Sequence, residues 1–477
     1  MTKGSRPTAV LASLGLVLAA ALALAGGAGQ SASAPQGLKQ SWLRQASRPA
    51  TASEFIRPAR PRPAAEVRYV PGRVVVRFDA DLRAREFRSL AREAGAIAVR
   101  RPSWADFHYV EIPPDADPVA AAERLRAQPG IARAEPDPIV RPLWRPNDQY
   151  FNLQWHLQRV GMEEAWELNQ GGSSRITVAV IDSGVAFVNQ GAFAQAPDLA
   201  GTRFVPGYDF IWDDDVPTDT DGHGTHVAGT IAQTTNNSVG LAGIAFNVGI
   251  MPIKVLTSDW DEENNAPNPP SMSVLARGIR FAVDHGARVI NLSLGADAES
   301  FTVESALRYA VGQGAFVAAA AGNSGDEGNA PEWPGAYAKD IDGMMAVGAV
   351  DYNLERAPYS THRDYVEIAA PGGDNDADQN DDDYGDGILQ QTLDPDYQER
   401  GIFNRFAYMF YQGTSMATAH VSALAALLMD QGITNPAAVE AAIKRFASHK
   451  PPGGRSDDLG YGVIDPRASL LGLGLAK

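Results

Sequence analysis

Residues 176–184 read Ile-Thr-Val-Ala-Val-Ile-Asp-Ser-Gly, an apolar run that ends at a single acidic side chain. A short run of this kind, rich in β-branched residues, predicts a strand that is buried on both faces of a sheet. The predicted strands are residues 176–181, 250–256, 289–294, 315–320 and 344–350. The predicted helices are residues 226–233, 272–285, 303–312, 415–429 and 436–446. This alternation predicts an α/β fold with a doubly wound, mostly parallel sheet flanked by helices.

The region before residue 142 has a different organisation. Residues 66–141 predict a small α+β unit of the ferredoxin-like kind, with strands at 73–78, 107–112 and 131–140 and helices at 82–94 and 118–128. Residues 35–65 are rich in Pro, Arg, Ala and Ser and predict a linker. Residues 1–34 carry the basic residues Lys3 and Arg6 near their start, followed by an apolar stretch and then by small residues. This order indicates a secretory signal peptide, and an uncleaved membrane anchor is the alternative.

Composition narrows the classes of function. The chain has 477 residues, of which 44% are hydrophobic and 21% charged, as is usual for a globular protein with several folded units. Residues 1–141 carry 21 basic and 13 acidic side chains, a net charge of +8, whereas residues 142–477 carry 20 and 44, a net charge of −24. The acidic main domain, residues 142–477, argues against a nucleic-acid partner. The opposite charges either attract each other across an interface or serve two separately soluble surfaces.

Cysteine is absent from the sequence. Disulfides, thiolate metal sites and a cysteine nucleophile are therefore excluded. If the protein is exported, it needs another source of stability, and bound calcium is the expected one.

Three segments carry residue types that perform nucleophilic catalysis. Asp182 follows the strand at 176–181, at the end where open parallel sheets place their sites. His223 lies in Asp-Gly-His-Gly-Thr-His-Val-Ala-Gly (221–229), where flanking glycines permit the close approach of another chain. Ser415 lies in Gly-Thr-Ser-Met-Ala-Thr-Ala-His-Val (413–421) and opens a helix, beside free N–H groups and the positive end of the helix dipole.

Each of these segments alone also has an ordinary structural interpretation. An acidic residue after a strand can form a salt bridge, and Ser or Thr often caps a helix. A lone histidine is more often structural than catalytic, and His223 with His226 lacks the third ligand of a zinc site. The three together, in the order Asp, His, Ser, point to one class of enzyme.

Over residues 147–465 the sequence resembles the subtilisin-like serine proteases, or subtilases, on these three motifs. The resemblance implies a secreted serine endopeptidase in which Ser415 attacks the scissile carbonyl, His223 transfers the proton and Asp182 orients the imidazole. Asn323, in the segment Ala-Ala-Gly-Asn-Ser-Gly, matches the family's oxyanion-hole asparagine.

The resemblance extends to the small N-terminal unit. Residues 66–141 are expected to be a propeptide that aids folding and inhibits the enzyme until it is cleaved. Cleavage is expected between Val140 and Asn147. The expected partners are protein or peptide substrates and this propeptide, acting as an intramolecular inhibitor of a monomeric enzyme.

The resemblance also implies how a substrate is held. Peptides are expected to bind as an extended strand along one segment and to place the cleaved residue against another. These segments are Ser293, Leu294 and Gly295, which pair with the peptide backbone, and Ala320, Ala321 and Gly322, which form one wall of the specificity pocket. Glu332 aligns near the base of that pocket, where a carboxylate favours Lys or Arg.

A structural calcium site is implied by three segments that resemble the family's tight site. Its ligands are expected to be the side chains of Asp148, Asp198 and Asn237 and the carbonyl oxygens of Thr234, Val239 and Leu241. A separate acidic segment, residues 374–386, reads Asp-Asn-Asp-Ala-Asp-Gln-Asn-Asp-Asp-Asp-Tyr-Gly-Asp. It either binds another calcium ion or forms a solvated loop.

Two positions depart from the family pattern, since Ala419 stands where proline is usual and Ser422 where glycine is usual.

Other classes of protein fit the sequence less well. A lipase or esterase needs a Gly-x-Ser-x-Gly motif and a histidine last in chain order. A structural surface protein gives the glycine-framed histidine no role, and a catalytically silent subtilase would lack one of the triad residues or Asn323.

Overall fold

The computed structural model describes residues 69–79, 84–93, 95–139 and 144–472. The predicted signal peptide and linker lie outside this part of the chain, as do residues 140–143 in the predicted processing region. No helix of the described residues is long and apolar enough to cross a membrane.

The small N-terminal unit is an antiparallel sheet with two helices. Its elements are β1 (Tyr69–Phe78), α1 (Ala84–Glu93), β2 (Ala98–Arg100), β3 (His108–Glu111), α2 (Pro118–Arg126) and β4 (Ile131–Pro138). The strand order β2-β3-β1-β4 is that of the ferredoxin-like unit predicted from the sequence. Val74 and Val76 of β1 share a buried cluster with Leu125 of α2, because alternate residues of a strand face the same side.

The main domain is a sheet covered by helices. Its strands are β5 (Thr177–Asp182), β6 (Arg203–Phe204), β7 (Tyr208–Asp209), β8 (Gly249–Lys254), β9 (Val289–Leu292), β10 (Phe316–Ala320), β11 (Met344–Val350), β12 (Val366–Pro371), β13 (Ile388–Leu393) and β14 (Phe406–Tyr411). Its helices are α3 (Trp155–Arg159), α4 (Met162–Trp166), α5 (His223–Ala232), α6 (Asp259–Glu263), α7 (Met272–Asp284), α8 (Phe301–Gly312), α9 (Pro395–Gln398), α10 (Thr414–Asp430), α11 (Pro436–Phe446) and α12 (Pro466–Leu471). Every strand and helix predicted for this domain is present, with ends within three residues of the predicted ones.

The central sheet has the order β12-β11-β10-β9-β5-β8-β6, and its neighbouring strands are parallel. Val178 and Val180 of β5 lie in one buried cluster, whereas Ala179 and Ile181 lie in another. Both faces of the sheet are therefore covered, which confirms the doubly wound fold. From β5 the chain runs to the β6 edge, returns to β8 beside β5 and then crosses to β9 and the opposite edge, and open α/β sheets place their sites beside such a reversal.

Helix α10 is buried along almost its whole length. All of its residues except Asp430 are buried, and its sequence is rich in Ala and Leu. It packs against α5 and against strands β9, β10 and β11. A helix that is apolar on every side is held by packing in a core rather than by its own propensity. This packing fixes the first turn of α10, which contains Ser415, relative to the sheet.

A hairpin that the sequence analysis did not predict is formed by β13 and β14. Its residues Gln390, Gln391 and Thr392 are buried although they are polar. Gln391 Oε1 accepts the N–H of Asp198 at 2.8 Å, and the Thr392 hydroxyl donates to the carbonyl oxygen of Gly222. The hairpin therefore supports both the predicted calcium site and the loop before His223.

Candidate active site

Asp182 and His223 form a direct hydrogen bond. Asp182 ends β5, His223 begins α5, and both side chains are almost completely buried. His223 Nδ1 lies 2.7 Å from Asp182 Oδ1, which also accepts the N–H of Ser183 at 2.8 Å. A carboxylate at Nδ1 keeps the proton on that nitrogen and leaves Nε2 free to act as a base.

This contact depends on the absence of a side chain at residue 224. A Cβ atom on Gly224 would lie 2.1 Å from the carbonyl oxygen of Gly184 and 3.1 Å from Asp182 Cβ. Distances this short do not accommodate a side chain. Glycine at residue 224 therefore allows the loop after β5 to approach the start of α5 closely, as the sequence predicts.

Asp219 joins the loops that carry Asp182 and His223. Its Oδ1 accepts the hydroxyl of Ser183 at 3.0 Å and the N–H of Gly222 at 2.9 Å. Its Oδ2 accepts the N–H and the hydroxyl of Thr225 at 2.9 and 2.5 Å. A buried carboxylate with this many donors holds the two loops in one geometry. Sequence reasoning missed this residue, because the only signal it gives is its position four residues before His223.

The charges around His223 favour its protonated form. Burial lowers the pKa of His223, but the charge and hydrogen bond of Asp182, together with the charges of Asp221 and Asp219, raise it above the ordinary value. Asp221 Oδ1 also accepts the N–H of His223 at 3.1 Å. Burial and the charge of Asp219 raise the pKa of Asp221 itself to about 7.

Ser415 lies in the first turn of α10 and is buried. Its hydroxyl donates to the carbonyl oxygen of Ser293 at 3.3 Å, and the hydroxyl of Ser293 donates to the carbonyl oxygen of Ser415 at 2.8 Å. Within the described residues, His223 Nε2 has no hydrogen-bond partner. The structure thus contains the Asp182–His223 contact of the predicted triad but no hydrogen bond between His223 and Ser415. In serine proteases the hydrogen bond to the nucleophile often tightens only when substrate is bound.

Asn323 is held next to Ser415 by Thr414. Its Oδ1 accepts the N–H and the hydroxyl of Thr414 at 2.9 and 3.0 Å. A Cβ atom placed on Gly413 would lie 3.5 Å from Asn323 Nδ2 and 3.7 Å from the backbone nitrogen of Ser415. Both donors therefore flank one point beside the nucleophile. An oxyanion hole needs two such donors beside the nucleophile.

The segments predicted to hold the substrate lie side by side. The first follows β9, and the second begins at the end of the neighbouring strand β10. They consist of Ser293, Leu294 and Gly295, and of Ala320, Ala321 and Gly322. Ala296 and Trp333 exchange backbone hydrogen bonds of 2.7 and 2.9 Å, which adds a third segment that contains Glu332.

The three segments of the predicted calcium site also meet. Asp148 accepts the N–H groups of Asn236 and Asn237 at 2.8 and 3.2 Å. Asp198 accepts the N–H of Leu241 at 2.8 Å and the side-chain amide of Asn237 at 3.1 Å. Burial raises the pKa of Asp198 to about 6, and the charge of Asp148 adds to this rise. The hydrogen bonds that Asp198 accepts lower its pKa and only partly offset the effect of burial. Both carboxylates are buried, and neither forms an ion pair with any described residue.

The acidic loop 374–386 is held largely by its own backbone. Asp378 accepts the N–H groups of Asp382 and Asp383 at 3.0 and 3.1 Å. Asp386 accepts the N–H of Gln379 at 2.5 Å and the amide of Asn380 at 2.7 Å. In the part of the chain that the structure describes, no group of three or more His, Asp or Glu side chains is placed to hold a metal ion. The predicted calcium site is not of that kind, since it has only two carboxylates.

Comparisons with known proteins agree with this fold and geometry. The profile of the subtilase family matches residues 173–462, and that of the fervidolysin N-terminal prodomain matches residues 57–137. A thermophilic serine proteinase from a Bacillus species (strain AK1) is 35% identical over 370 residues, which are 77% of this chain and 80% of that protein. Thermitase from Thermoactinomyces vulgaris is 34% identical over 64% of this chain and 92% of its own.

Among solved structures, a protease from Pseudoalteromonas arctica has a TM-score of 0.56 at 28% identity and covers 69% of this chain and 99% of its own. Fervidolysin from Fervidobacterium pennivorans, a keratinolytic enzyme related to subtilisin, has a TM-score of 0.55 at 26% identity, over 84% of this chain and 61% of that one. The chain belongs to the subtilase family of serine endopeptidases and carries an N-terminal prodomain. The resemblance stated from the three motifs is thereby confirmed.

Proposed function

We propose that Asp182, His223 and Ser415 are the catalytic triad of this subtilase and that Asn323 supplies the oxyanion hole. The proposal rests above all on the 2.7 Å contact between Asp182 Oδ1 and His223 Nδ1 at the carboxyl end of the central strand β5. The position of Ser415 in the first turn of the buried helix α10 supports it. Without that contact, the imidazole would have neither a fixed tautomer nor a partner for its positive charge.

In this mechanism His223 Nε2 takes the proton of the Ser415 hydroxyl as Oγ bonds to the scissile carbonyl carbon. The oxygen that becomes negative accepts hydrogen bonds from Asn323 Nδ2 and the N–H of Ser415. His223 then gives its proton to the leaving amine while the carbon–nitrogen bond breaks. Water, activated by the same imidazole, releases the acyl group and restores Ser415.

We also propose that the protein is exported and cuts itself from its precursor. Residues 1–34 supply the signal peptide, and residues 66–141 the propeptide that inhibits the enzyme until cleavage between Val140 and Asn147. The match of residues 57–137 to a prodomain supports the second assignment. Residues 66–141 carry 13 basic and 12 acidic side chains, so most of the +8 of residues 1–141 lies before the propeptide, and the proposed docking does not depend on opposite net charges.

Mass spectrometry of the purified precursor tests the triad and the self-cleavage together. The wild-type chain and its Ser415→Ala variant are each expressed in full and incubated in a calcium buffer. The wild-type chain is expected to shed about its first 140 residues, whereas the variant stays intact because it lacks the nucleophile. A second variant, Ser469→Ala, changes a buried serine remote from the motifs and is expected to process like the wild type.

Two outcomes would overturn the proposal. If the wild-type chain is folded and stays intact, with no activity on peptides, the chain is a catalytically silent subtilase. If the Ser415→Ala variant is cut at the same site and rate as the wild type, the cut does not depend on Ser415.

We further propose one structural calcium ion held by Asp148, Asp198, Asn237 and the carbonyl oxygens of Thr234, Val239 and Leu241. The donor set fits calcium, because it consists only of carboxylate, amide and carbonyl oxygens. Two buried carboxylates close to each other, without a described cation, also favour a bound cation of two charges. The ion supplies stability here and takes no part in peptide hydrolysis.

A further inference from the structure

The backbone around Glu332 fixes this residue behind the segment 320–322. Its N–H donates to the hydroxyl of Tyr365 at 3.1 Å, and that hydroxyl donates to the carbonyl oxygen of Ala321 at 2.8 Å. The next residue, Trp333, exchanges two backbone hydrogen bonds with Ala296. Glu332 is therefore tied both to the end of β10 and to the segment after β9, between which a substrate side chain would enter.

The carboxylate of Glu332 lies directly against Gly322. Its Oε1 accepts the N–H of Asn323 at 3.1 Å, and a Cβ atom on Gly322 would lie 2.5 Å from that oxygen. Gly322 has a φ of +121°, a conformation that other residues rarely adopt. Since Glu332 is only 2% exposed, its negative charge lies at the base of this region rather than at its rim.

The position of the scissile bond decides which substrate residue meets this charge. A peptide whose carbonyl carbon lies at Ser415 Oγ and whose oxygen points at Asn323 Nδ2 has its cleaved residue next to Gly322. Successive side chains of an extended peptide point to opposite sides, so one side chain alone can enter between the two segments. The two segments contribute Leu294, Ala320 and Ala321, which are apolar and buried, on either side of this side chain.

We propose that Glu332 is the specificity-determining residue of this protease and directs cleavage after Lys or Arg. This inference rests on the proposed catalytic function of Ser415. The aliphatic stem of a basic side chain packs against apolar walls while its charged end reaches a carboxylate. An acidic side chain in the same place meets a like charge, and a large apolar one excludes water from the carboxylate and supplies no positive charge in return.

Glu332 has a second contact that an experiment must separate from its charge. By accepting the N–H of Asn323, it positions the residue proposed for the oxyanion hole. Glu332→Gln keeps an oxygen at the same distance and removes the charge, so it isolates the electrostatic role. Glu332→Ala removes both and serves as the comparison.

The test measures kcat/KM on peptide substrates that differ only in the cleaved residue, which is Arg, Lys, Gln, Leu, Phe or Glu. The wild-type enzyme is expected to prefer Arg and Lys. Glu332→Gln is expected to lower kcat/KM for Arg and Lys by roughly 10- to 100-fold, as for loss of a hydrogen bond to a charged group, and to raise kcat/KM for Leu and Phe, because the unfavourable carboxylate is gone. The inhibition constant of a peptide aldehyde that ends in Arg is expected to rise in Glu332→Gln by a similar factor. That of an aldehyde ending in Phe is not expected to rise.

The failures of the two proposals are distinguishable. A wild-type enzyme that prefers Phe or Leu, with Glu332→Gln unchanged, would overturn the role of Glu332 and leave the protease function standing. An equal loss on every substrate in Glu332→Gln would reduce Glu332 to a positioning residue for Asn323. No activity on any peptide, equal to that of Ser415→Ala, would remove the basis of both proposals.

Discussion

Asp221 adds to the charge of Asp182 beside the catalytic imidazole wherever it is ionised, that is above its own raised pKa of about 7, and it therefore contributes to the lower pH limit of activity. It raises the pKa of His223 together with Asp182 and Asp219, although burial of the ring opposes them. Only the neutral imidazole can accept the proton of Ser415. A higher pKa therefore means that activity is lost at a higher pH.

Asp221→Asn is expected to shift the acid limb of the kcat/KM profile to lower pH. The substitution removes a negative charge that stabilises the imidazolium, so the pKa of His223 falls and the neutral form persists further into acid. The profile should be measured with a substrate whose own charge is constant over the range. Asp457→Asn, at an exposed position near the C-terminus, is the control and should leave the profile in place. A shift to higher pH would contradict the role given to Asp221.

At the scale of single residues, the motif residues were predictable and their supporting partners were not. Asp182, His223, Ser415 and Asn323 stand in glycine-rich segments next to predicted strands and helices, which is a signal a sequence can carry. Asp219 carries no such signal, because the Ser183 hydroxyl, which ties it to the loop after β5, meets it only in the folded chain. The Ser415 hydroxyl bonds to the carbonyl oxygen of Ser293 and not to His223 Nε2, a choice that no sequence pattern records.

At the scale of elements, Ser422 joins helix α10 to strand β9. Its hydroxyl donates to Asn291 Oδ1 at 2.8 Å, Asn291 Nδ2 donates to Ser293 Oγ at 2.9 Å, and Ser293 Oγ donates to the carbonyl oxygen of Ser415. All these groups are buried. The departure from the usual glycine at residue 422 thus adds a polar link between the nucleophile's helix and the substrate segment.

Ser422→Ala is expected to lower the free energy of unfolding by about 1–2 kcal/mol, because a buried acceptor on Asn291 loses its donor. The measurement is denaturant unfolding in a Ser415→Ala background, which prevents self-digestion. Ser469→Ala is a matched control, since Ser469 is also fully buried and its hydroxyl has no partner among the described residues. A loss in the control as large as that in Ser422→Ala would refute the link.

The β13–β14 hairpin shows why some elements could not be predicted. Gln390, Gln391 and Thr392 are polar, so the strand lacks the apolar run that marked β5 and β11. These side chains are nevertheless buried, because their polar groups bond to backbone atoms of distant segments, as Gln391 does to Asp198. When buried polar side chains are satisfied by hydrogen bonds to distant segments, no local pattern in the sequence records their burial.

At the scale of the whole molecule, stability without disulfides should depend on calcium. Removal of calcium by a chelator is expected to lower the Tm of the Ser415→Ala precursor by several degrees, because a ligand at 100 times its Kd stabilises the folded state by about 2.7 kcal/mol. Asp198→Asn is expected to lower the Tm in calcium and to abolish the response to the chelator. The measurement is thermal unfolding with calcium, with chelator, and with magnesium in place of calcium. An Asp198→Asn variant that responds like the parent would place the ion elsewhere.

The acidic loops of the main domain have a consequence for autolysis. If cleavage requires Lys or Arg, a long exposed loop without either residue is not a target for neighbouring enzyme molecules. The stretches 204–253, 255–276 and 364–399 contain no Lys or Arg, and they include the loop 374–386 and the exposed residues around Asp214 and Glu263. The prodomain differs, since Arg88, Arg100 and Arg133 are all exposed. The active enzyme would therefore digest its released inhibitor while these acidic loops resist attack, and the exposed Arg400 and Arg405 are positions at which its own chain stays open to cleavage.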